Sequence, residues 1–118
     1  MPTTTARLLA ATACLAAIVS LGCDEIMPKR SEGEKLYRKR CVTCHGSDGA
    51  GNTPRYMSNP GADLLDNAWK HGNTDGAIGE VIKYGVLAEM PDNEDLTQEQ
   101  IDAIVAHIRD LRGEVSDR

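Results

Sequence analysis

Aromatic side chains are scarce in this chain. Its 118 residues include no phenylalanine, one tryptophan and three tyrosines. A chain of this length buries only a small core, and so few aromatics leave that core thin. The composition therefore favours a fold completed by a large apolar group that is not part of the polypeptide. No stretch shows the apolar/polar alternation typical of strands, so we expect an all-α fold.

Long apolar runs are also missing. The run from Leu8 to Gly22 has 15 residues, whereas a membrane-spanning helix needs about 20. Preceded by Arg7, it has the pattern of a signal peptide. We therefore expect residues 1–22 to be removed and the folded part to be exported to the periplasm. The end of the run, Ser20-Leu21-Gly22-Cys23, resembles a bacterial lipobox, which implies a lipid on Cys23 and a membrane anchor. The alternatives are an ordinary secretory peptide and a short uncleaved anchor.

No cysteine pair is left over for a structural disulfide. Of the four cysteines, Cys14 lies in the apolar run, Cys23 ends it, and Cys41 and Cys44 share one short motif. An exported protein could keep a disulfide. The cysteines of this chain are instead accounted for by the leader, the lipid and the motif.

Excess positive charge is absent too. Removal of residues 1–22 removes one of the 13 basic residues, Arg7, and none of the 18 acidic ones. The net charge then changes from −5 to about −6. Nucleic-acid-binding domains are usually basic, so we expect no nucleic-acid partner.

The motif Cys41-Val42-Thr43-Cys44-His45 carries the chemistry of the chain. C-x-x-C-H is the attachment signature of c-type haem. Two thiols three positions apart lie on one side of a helical turn, where each can form a thioether with a haem vinyl group. The sequence predicts one covalent haem c on Cys41 and Cys44, with His45 as an axial iron ligand. A redox dithiol or half of a zinc site is the alternative, although zinc would need two further ligands at regular spacing.

The second axial position decides what such a haem does. Met57 follows His45 by 12 residues and lies in a loop too short to reach the other haem face easily. Met90 follows by 45 residues, in a polar loop that has little core to fill. We predict Met90 as the second ligand, which makes an electron carrier. His71 and His107 are further candidates. An open position would instead indicate a pentacoordinate haem sensor or a peroxidase-like enzyme.

Capping residues and apolar periodicity predict four helices. They begin after Ser31, at Asp63, after Thr74 and after Thr97; the second ends at His71, the third at Gly85 and the last at Gly113. We expect the folded domain over residues 31–113, between a linker of residues 23–30 and a tail of residues 114–118.

These features together resemble the small bacterial monohaem class I cytochromes c. The resemblance covers residues 31–113 and rests on Cys41 to Gly46, Met90-Pro91 and Ile108-Arg109-Asp110-Leu111. It implies three to five helices wrapped around one haem. It also implies that Gly33 lets the first and last helices cross, with Tyr37 packed there. A loop proline carbonyl, that of Pro54 or Pro60, would accept the Nδ1 proton of His45.

The function expected from the sequence is electron transfer, not enzymatic conversion of a substrate. Single electrons would pass between unidentified donor and acceptor proteins while His45 and Met90 stay bound to the iron. The chain could also be the subunit that brings electrons into a larger oxidoreductase complex.

Overall fold

The computed structural model describes residues 29–114, which contain four α-helices. These are α1 (Glu32–Arg40), α2 (Val42–His45), α3 (Asp75–Tyr84) and α4 (Gln98–Leu111), with a 3-10 turn at Pro60–Ala62. No strand occurs in this range, only an isolated bridge between Val86 and Met90. None of its helices is long and apolar enough to cross a bilayer. The predicted signal peptide, Cys23, most of the linker and residues 115–118 lie outside the described residues.

The three longer helices begin at side chains that the sequence marks as caps. The Ser31 Oγ atom accepts the N–H of Glu34 at 3.1 Å, and the Thr74 side chain caps α3 in the same way. Thr97 and Gln100 form a reciprocal capping box, with distances of 3.3 and 3.0 Å. These bonds satisfy N–H groups that have no partner in a first helical turn. The predicted starts of α1, α3 and α4 are confirmed.

The core is a small apolar layer centred on α4, against which α1 and α3 both pack. Its buried helical members are Tyr37 from α1, Ile78 and Ile82 from α3, and Ile101, Ile104, Val105 and Ile108 from α4; Cys41 and Leu96 complete it. Several of them also line a large cleft. The layer is therefore open on one side.

The crossing of α1 and α4 agrees with the resemblance. Gly33 is buried against the backbone of Ala103 and the Cβ of His107. Tyr37, one turn further along α1, is fully buried, and its ring centroid lies 5.0 Å from that of His107 at an interplanar angle of 59°. The predicted roles of Gly33 and Tyr37 at this crossing are confirmed.

The helix predicted from Asp63 to His71 is wrong. The structure has bends and turns there. The Asp63 carboxylate accepts the N–H groups of Leu65 and Asp66, at 2.8 and 3.3 Å, and such local bonds compete with helix formation. Carbonyl groups of the segment are bound by Arg112 from the end of α4. A helix pattern in the sequence is here overridden by side chains that bind the backbone directly.

Candidate haem site

The C-x-x-C-H motif forms a tight corner at the end of α1. Cys41 follows α1, and α2 carries Cys44 and His45. The N–H groups of Cys44 and His45 both bond to the Cys41 carbonyl, at 3.2 and 2.9 Å. Both thiols are unpaired, and burial raises the pKa of the Cys41 thiol to about 11. The corner therefore brings two unpaired thiols and one imidazole to the same cleft.

The imidazole of His45 is oriented by a backbone carbonyl. Its Nδ1 atom lies 2.8 Å from the carbonyl oxygen of Ala62. The expectation that Pro54 or Pro60 supplies this carbonyl is wrong, because the 3-10 turn that begins at Pro60 carries the chain on until Ala62 faces the ring. Burial lowers the pKa of His45, against a smaller opposing effect of this hydrogen bond. A neutral ring that donates from Nδ1 leaves Nε2 free to bind a metal.

Gly51 makes the approach of Ala62 to His45 possible. Gly51 has a φ of +69°, and its N–H donates to the His45 carbonyl at 2.8 Å. A Cβ atom on Gly51 would lie 2.6 Å from the Ala62 carbonyl carbon and 2.7 Å from its oxygen. Real Cβ atoms essentially never come so close, so any larger residue would force the Ala62 carbonyl out of its present position.

The cleft receives residues from every helix of the described domain. It contains about 1210 Å³ of space free of protein atoms, its open mouth included. Its apolar lining is Leu64, Ala68, Trp69, Ile78, Val81, Ile82, Val86 and Ile108. A cleft of this size and character suits a large, flat, mostly apolar group.

The structure distinguishes among the candidates for the second axial position. Met90 lines the same cleft as His45, and so does His71. Met57 is 66% exposed and does not line the cleft. His107 lies on α4 beside Tyr37, also outside the cleft lining. The chain between His45 and Met90, which includes α3, thus brings Met90 to the cleft, whereas Met57 lies at the surface.

Three residues at the site escaped the sequence reasoning. Ala62 contributes only a backbone carbonyl, which leaves no trace in a side-chain pattern. Arg40 and Asn93 both line the cleft, and their direct contact, at 3.4 Å, joins positions 53 residues apart. Among residues 29–114, no group of three or more His, Cys, Asp or Glu side chains could hold a metal ion.

The residues present fit a covalently attached haem. Two thiols without disulfide partners stand beside an imidazole whose Nδ1 is already bound, at the edge of an apolar cleft. Cys41 and Cys44 would hold the group through thioethers, and His45 would bind its iron from Nε2. On an all-helical fold, this site defines a c-type cytochrome.

Comparison with known proteins assigns the family. Residues 28–108 match the model of cytochrome c oxidase, cbb3-type, subunit III, and the chain belongs to this family. The cbb3-type oxidase subunit FixP of Bradyrhizobium diazoefficiens is 34% identical over 84 residues. The subunit CcoP of Rhodobacter capsulatus is 31% identical over 101 residues. These alignments cover 70% and 75% of this chain, but the chain spans only 28% and 32% of the two relatives.

A solved structure supports the same class. The KustC0563 c-type cytochrome is 33% identical and superposes with a TM-score of 0.58, covering 68% of this chain and 96% of that one. The predicted class I cytochrome c fold and the haem c cofactor are thereby confirmed. The protein is a c-type cytochrome.

Proposed function

We propose that this chain carries single electrons between redox proteins through a haem bound by His45 and Met90. The observation that carries the proposal is that Met90 and His45 line one cleft, on segments 45 residues apart in the sequence. When bound, haem c supplies a one-electron couple, and a methionine ligand with histidine raises its potential. The family of the chain agrees with this role.

The segment around Met90 is built to hold a side chain in place. The N–H of Met90 donates to the Val86 carbonyl, and the N–H of Val86 donates to the Met90 carbonyl, both at 2.9 Å. Gly85 packs against the backbone of Met90 to Asp92. Because the N–H and the carbonyl of Met90 are both bonded, the point from which its side chain extends is fixed. This suits an axial ligand that remains bound during electron transfer.

His45 and the cleft walls would serve the same function. The hydrogen bond to Ala62 fixes the imidazole plane and makes the ring a more basic ligand. Once a haem filled the cleft, the apolar lining residues would exclude water from the side of the group that they cover. No residue at the site needs to transform a substrate, so we propose a carrier and not an enzyme.

The ligand assignment is tested on the purified holoprotein. A haem stain after denaturing electrophoresis reports covalent attachment. The weak red-region absorption band of a methionine-bound ferric haem then reports the second ligand. Met90→Ala should remove this band, and the exposed Met57→Ala should keep it. A band that survived in Met90→Ala would contradict the assignment. Carbon monoxide binding to the reduced wild type would favour the pentacoordinate sensor or peroxidase-like alternative.

A second candidate function follows from the relatives. The similar FixP and CcoP chains are subunits of cbb3-type cytochrome c oxidases. This chain could therefore bring electrons to a membrane oxidase as one of its subunits. Gentle solubilisation of native membranes, followed by native electrophoresis and haem staining, separates the two functions. A stand-alone carrier migrates by itself, whereas a subunit migrates with the oxidase.

We further propose that the protein is exported and anchored to a membrane by a lipid on Cys23. The support is the sequence pattern of residues 1–23 alone, and these residues lie outside the described range. Mass spectrometry of the mature N-terminus tests it. A lipidated Cys23 as first residue is expected, and Cys23→Ser should release the haem-stained protein into the soluble periplasmic fraction. An unmodified N-terminus elsewhere would contradict the anchor.

A further inference from the structure

Arg40 makes the most direct link between the haem-attachment segment and the chain that follows Met90. Arg40 ends α1, one position before Cys41. Its guanidinium donates to both carboxylate oxygens of Asp95, at 2.8 and 2.5 Å. A planar guanidinium that meets a carboxylate through two parallel bonds forms the most directional ion pair available to side chains. The pair spans 55 positions of the sequence.

Asn93 ties the same stretch of chain to α3. Its Nδ2 donates to the Ile82 carbonyl at 3.0 Å, and its N–H donates to the Lys83 carbonyl at 2.9 Å. The Asn93 Oδ1 in turn accepts from Arg40 at 3.4 Å. The chain that leaves Met90 is therefore fixed on one side by α3 and on the other by α1.

The position of these contacts suggests what they control. Met90 lies at the end of a turn that its bridge to Val86 closes. The next residues along the chain that are held by hydrogen bonds to the helices are Asn93 and Asp95. If the backbone at Met90 moves away from the cleft, it has to carry Asn93 with it or bend the two residues between them, Pro91 and Asp92. Arg40 and Asn93 themselves line the cleft, so the contacts stand at its edge.

We propose that the Arg40–Asp95 ion pair is a latch that holds the Met90 loop against the iron and opposes its displacement by external ligands. This inference rests on the proposed His45/Met90 ligation. Arg40 and Asp95 are positioning residues, since they act through Met90. The Arg40 side chain is 27% exposed and that of Asp95 64% exposed, so water and salt weaken the pair. Its effect on the loop is consequently modest and depends on ionic strength.

Imidazole binding to the ferric holoprotein tests the latch, because imidazole can bind only when Met90 has left. The apparent affinity scales with the fraction of molecules whose loop is open. Arg40→Met and Asp95→Asn should each tighten imidazole binding about twofold to fivefold, the effect of one partly exposed ion pair. The double variant should bind no more tightly than either single variant. High salt should tighten binding in the wild type and leave both variants nearly unchanged.

Arg38→Met is the matched control. Arg38 also lies on α1, but its ion pair with Glu34 stays within the helix, at 3.0 Å. The Arg38→Met variant should bind imidazole with the same affinity as the wild type. Asp95→Asn guards against an effect of Arg40→Met on haem attachment at the neighbouring Cys41.

The two proposals fail in different ways. A wild-type ferric protein without the methionine band would overturn both the ligation and the latch. A normal band, together with imidazole affinities that are equal in wild type, Arg40→Met and Asp95→Asn, would overturn the latch alone. An effect of Arg38→Met on imidazole affinity as large as that of Arg40→Met would also overturn the latch.

Discussion

Gly33 of α1 lies so close to Ala103 of α4 that no side chain fits between the two helices. A Cβ atom on Gly33 would stand 1.9 Å from the Ala103 carbonyl oxygen and 2.6 Å from its carbonyl carbon. The clash would be with backbone, which cannot rotate away as a flexible side chain can. The contact sets the distance between the first and last helices, and therefore the position of Cys41 and Cys44 relative to α4.

The first prediction concerns this crossing. Gly33→Ala should lower the free energy of unfolding of the holoprotein by up to about 2 kcal/mol, because overpacking costs about 1–3 kcal/mol and a clash with backbone lies at the upper end of that range, which exceeds the gain in helix propensity of about 1 kcal/mol. Gly76→Ala is the matched control, since Gly76 lies in α3 with no atom within 4 Å of an added Cβ. It should stabilise the protein by about 0.4–1 kcal/mol. Denaturant titration followed by circular dichroism measures both. Equal effects of the two variants would contradict the close approach.

The second prediction concerns Gly51 and the orientation of His45. Gly51→Ala should displace the Ala62 carbonyl from the imidazole Nδ1, because the added Cβ would meet that carbonyl at 2.6–2.7 Å. An imidazole that loses this hydrogen bond is a less basic ligand and favours the ferrous state, so the reduction potential should rise. A spectroelectrochemical titration measures the change.

Gly113→Ala controls for the backbone cost of this variant. Gly113 has the same φ of +69° as Gly51 but no atom within 4 Å of an added Cβ. It should lower stability by about 1–2 kcal/mol and leave the potential unchanged. A lower or unaltered potential in Gly51→Ala would contradict the predicted role of Ala62.

The third prediction concerns Arg112, whose side chain is only 8% exposed. It donates to the carbonyls of Leu64 and Asp66, at 2.5 and 2.8 Å, and lies over the Trp69 ring at 5.1 Å. Arg112→Ala should lower the free energy of unfolding by about 2–4 kcal/mol. Hydrogen bonds to a charged group contribute about 1.5–3 kcal/mol each, and in the variant water can bind the freed carbonyls and recover part of this. Arg112→Lys should recover less than half of this loss, since an ammonium cannot donate in a fork or stack on the indole. Thermal unfolding of the holoproteins provides the comparison. Full recovery by lysine would show that charge alone matters.

The fourth prediction is a pH dependence that originates at His107. Burial lowers its pKa below 6.5, against raising effects of Glu34 and Asp110 and with a smaller lowering effect of Arg38. The unfolded chain then binds a proton that the folded protein binds less readily. Stability contributed by the neutral ring is therefore complete above pH 6.5 and is lost as the pH falls toward the lowered pKa.

His107→Gln should reduce the slope of the free energy of unfolding against pH in the range just below 6.5. The reduction should correspond to a difference of at most one bound proton. Denaturant midpoints at several pH values measure this slope. Glu34, Asp95 and Glu114 have carboxyl pKa values lowered by arginine partners, so their contributions are lost only at more acid pH. A slope unchanged by His107→Gln would assign the effect to other groups.

The attachment chemistry could be predicted from the sequence because it depends on local spacing. Cys41, Cys44 and His45 lie within one helical turn, so their arrangement needs no information from elsewhere in the chain. The caps at Ser31, Thr74 and Thr97 are local in the same sense. The covalent haem, the starts of three helices and the all-helical class therefore follow from short-range patterns in the sequence.

Other features depend on contacts between distant parts of the chain and could not be predicted before the fold was known. Ala62 faces His45 across 17 positions, and Arg112 reaches Leu64 across 48, so neither contact has a local signal. The Arg112 contact, together with the bonds from backbone N–H groups to the Asp63 carboxylate, explains why the helix expected from Asp63 does not form. The local motif was enough to predict the haem c cofactor and the side chains that we propose to hold it, Cys41, Cys44 and His45. The folded chain decided how His45 is oriented and which methionine reaches the cleft, because both depend on where backbone groups meet in space.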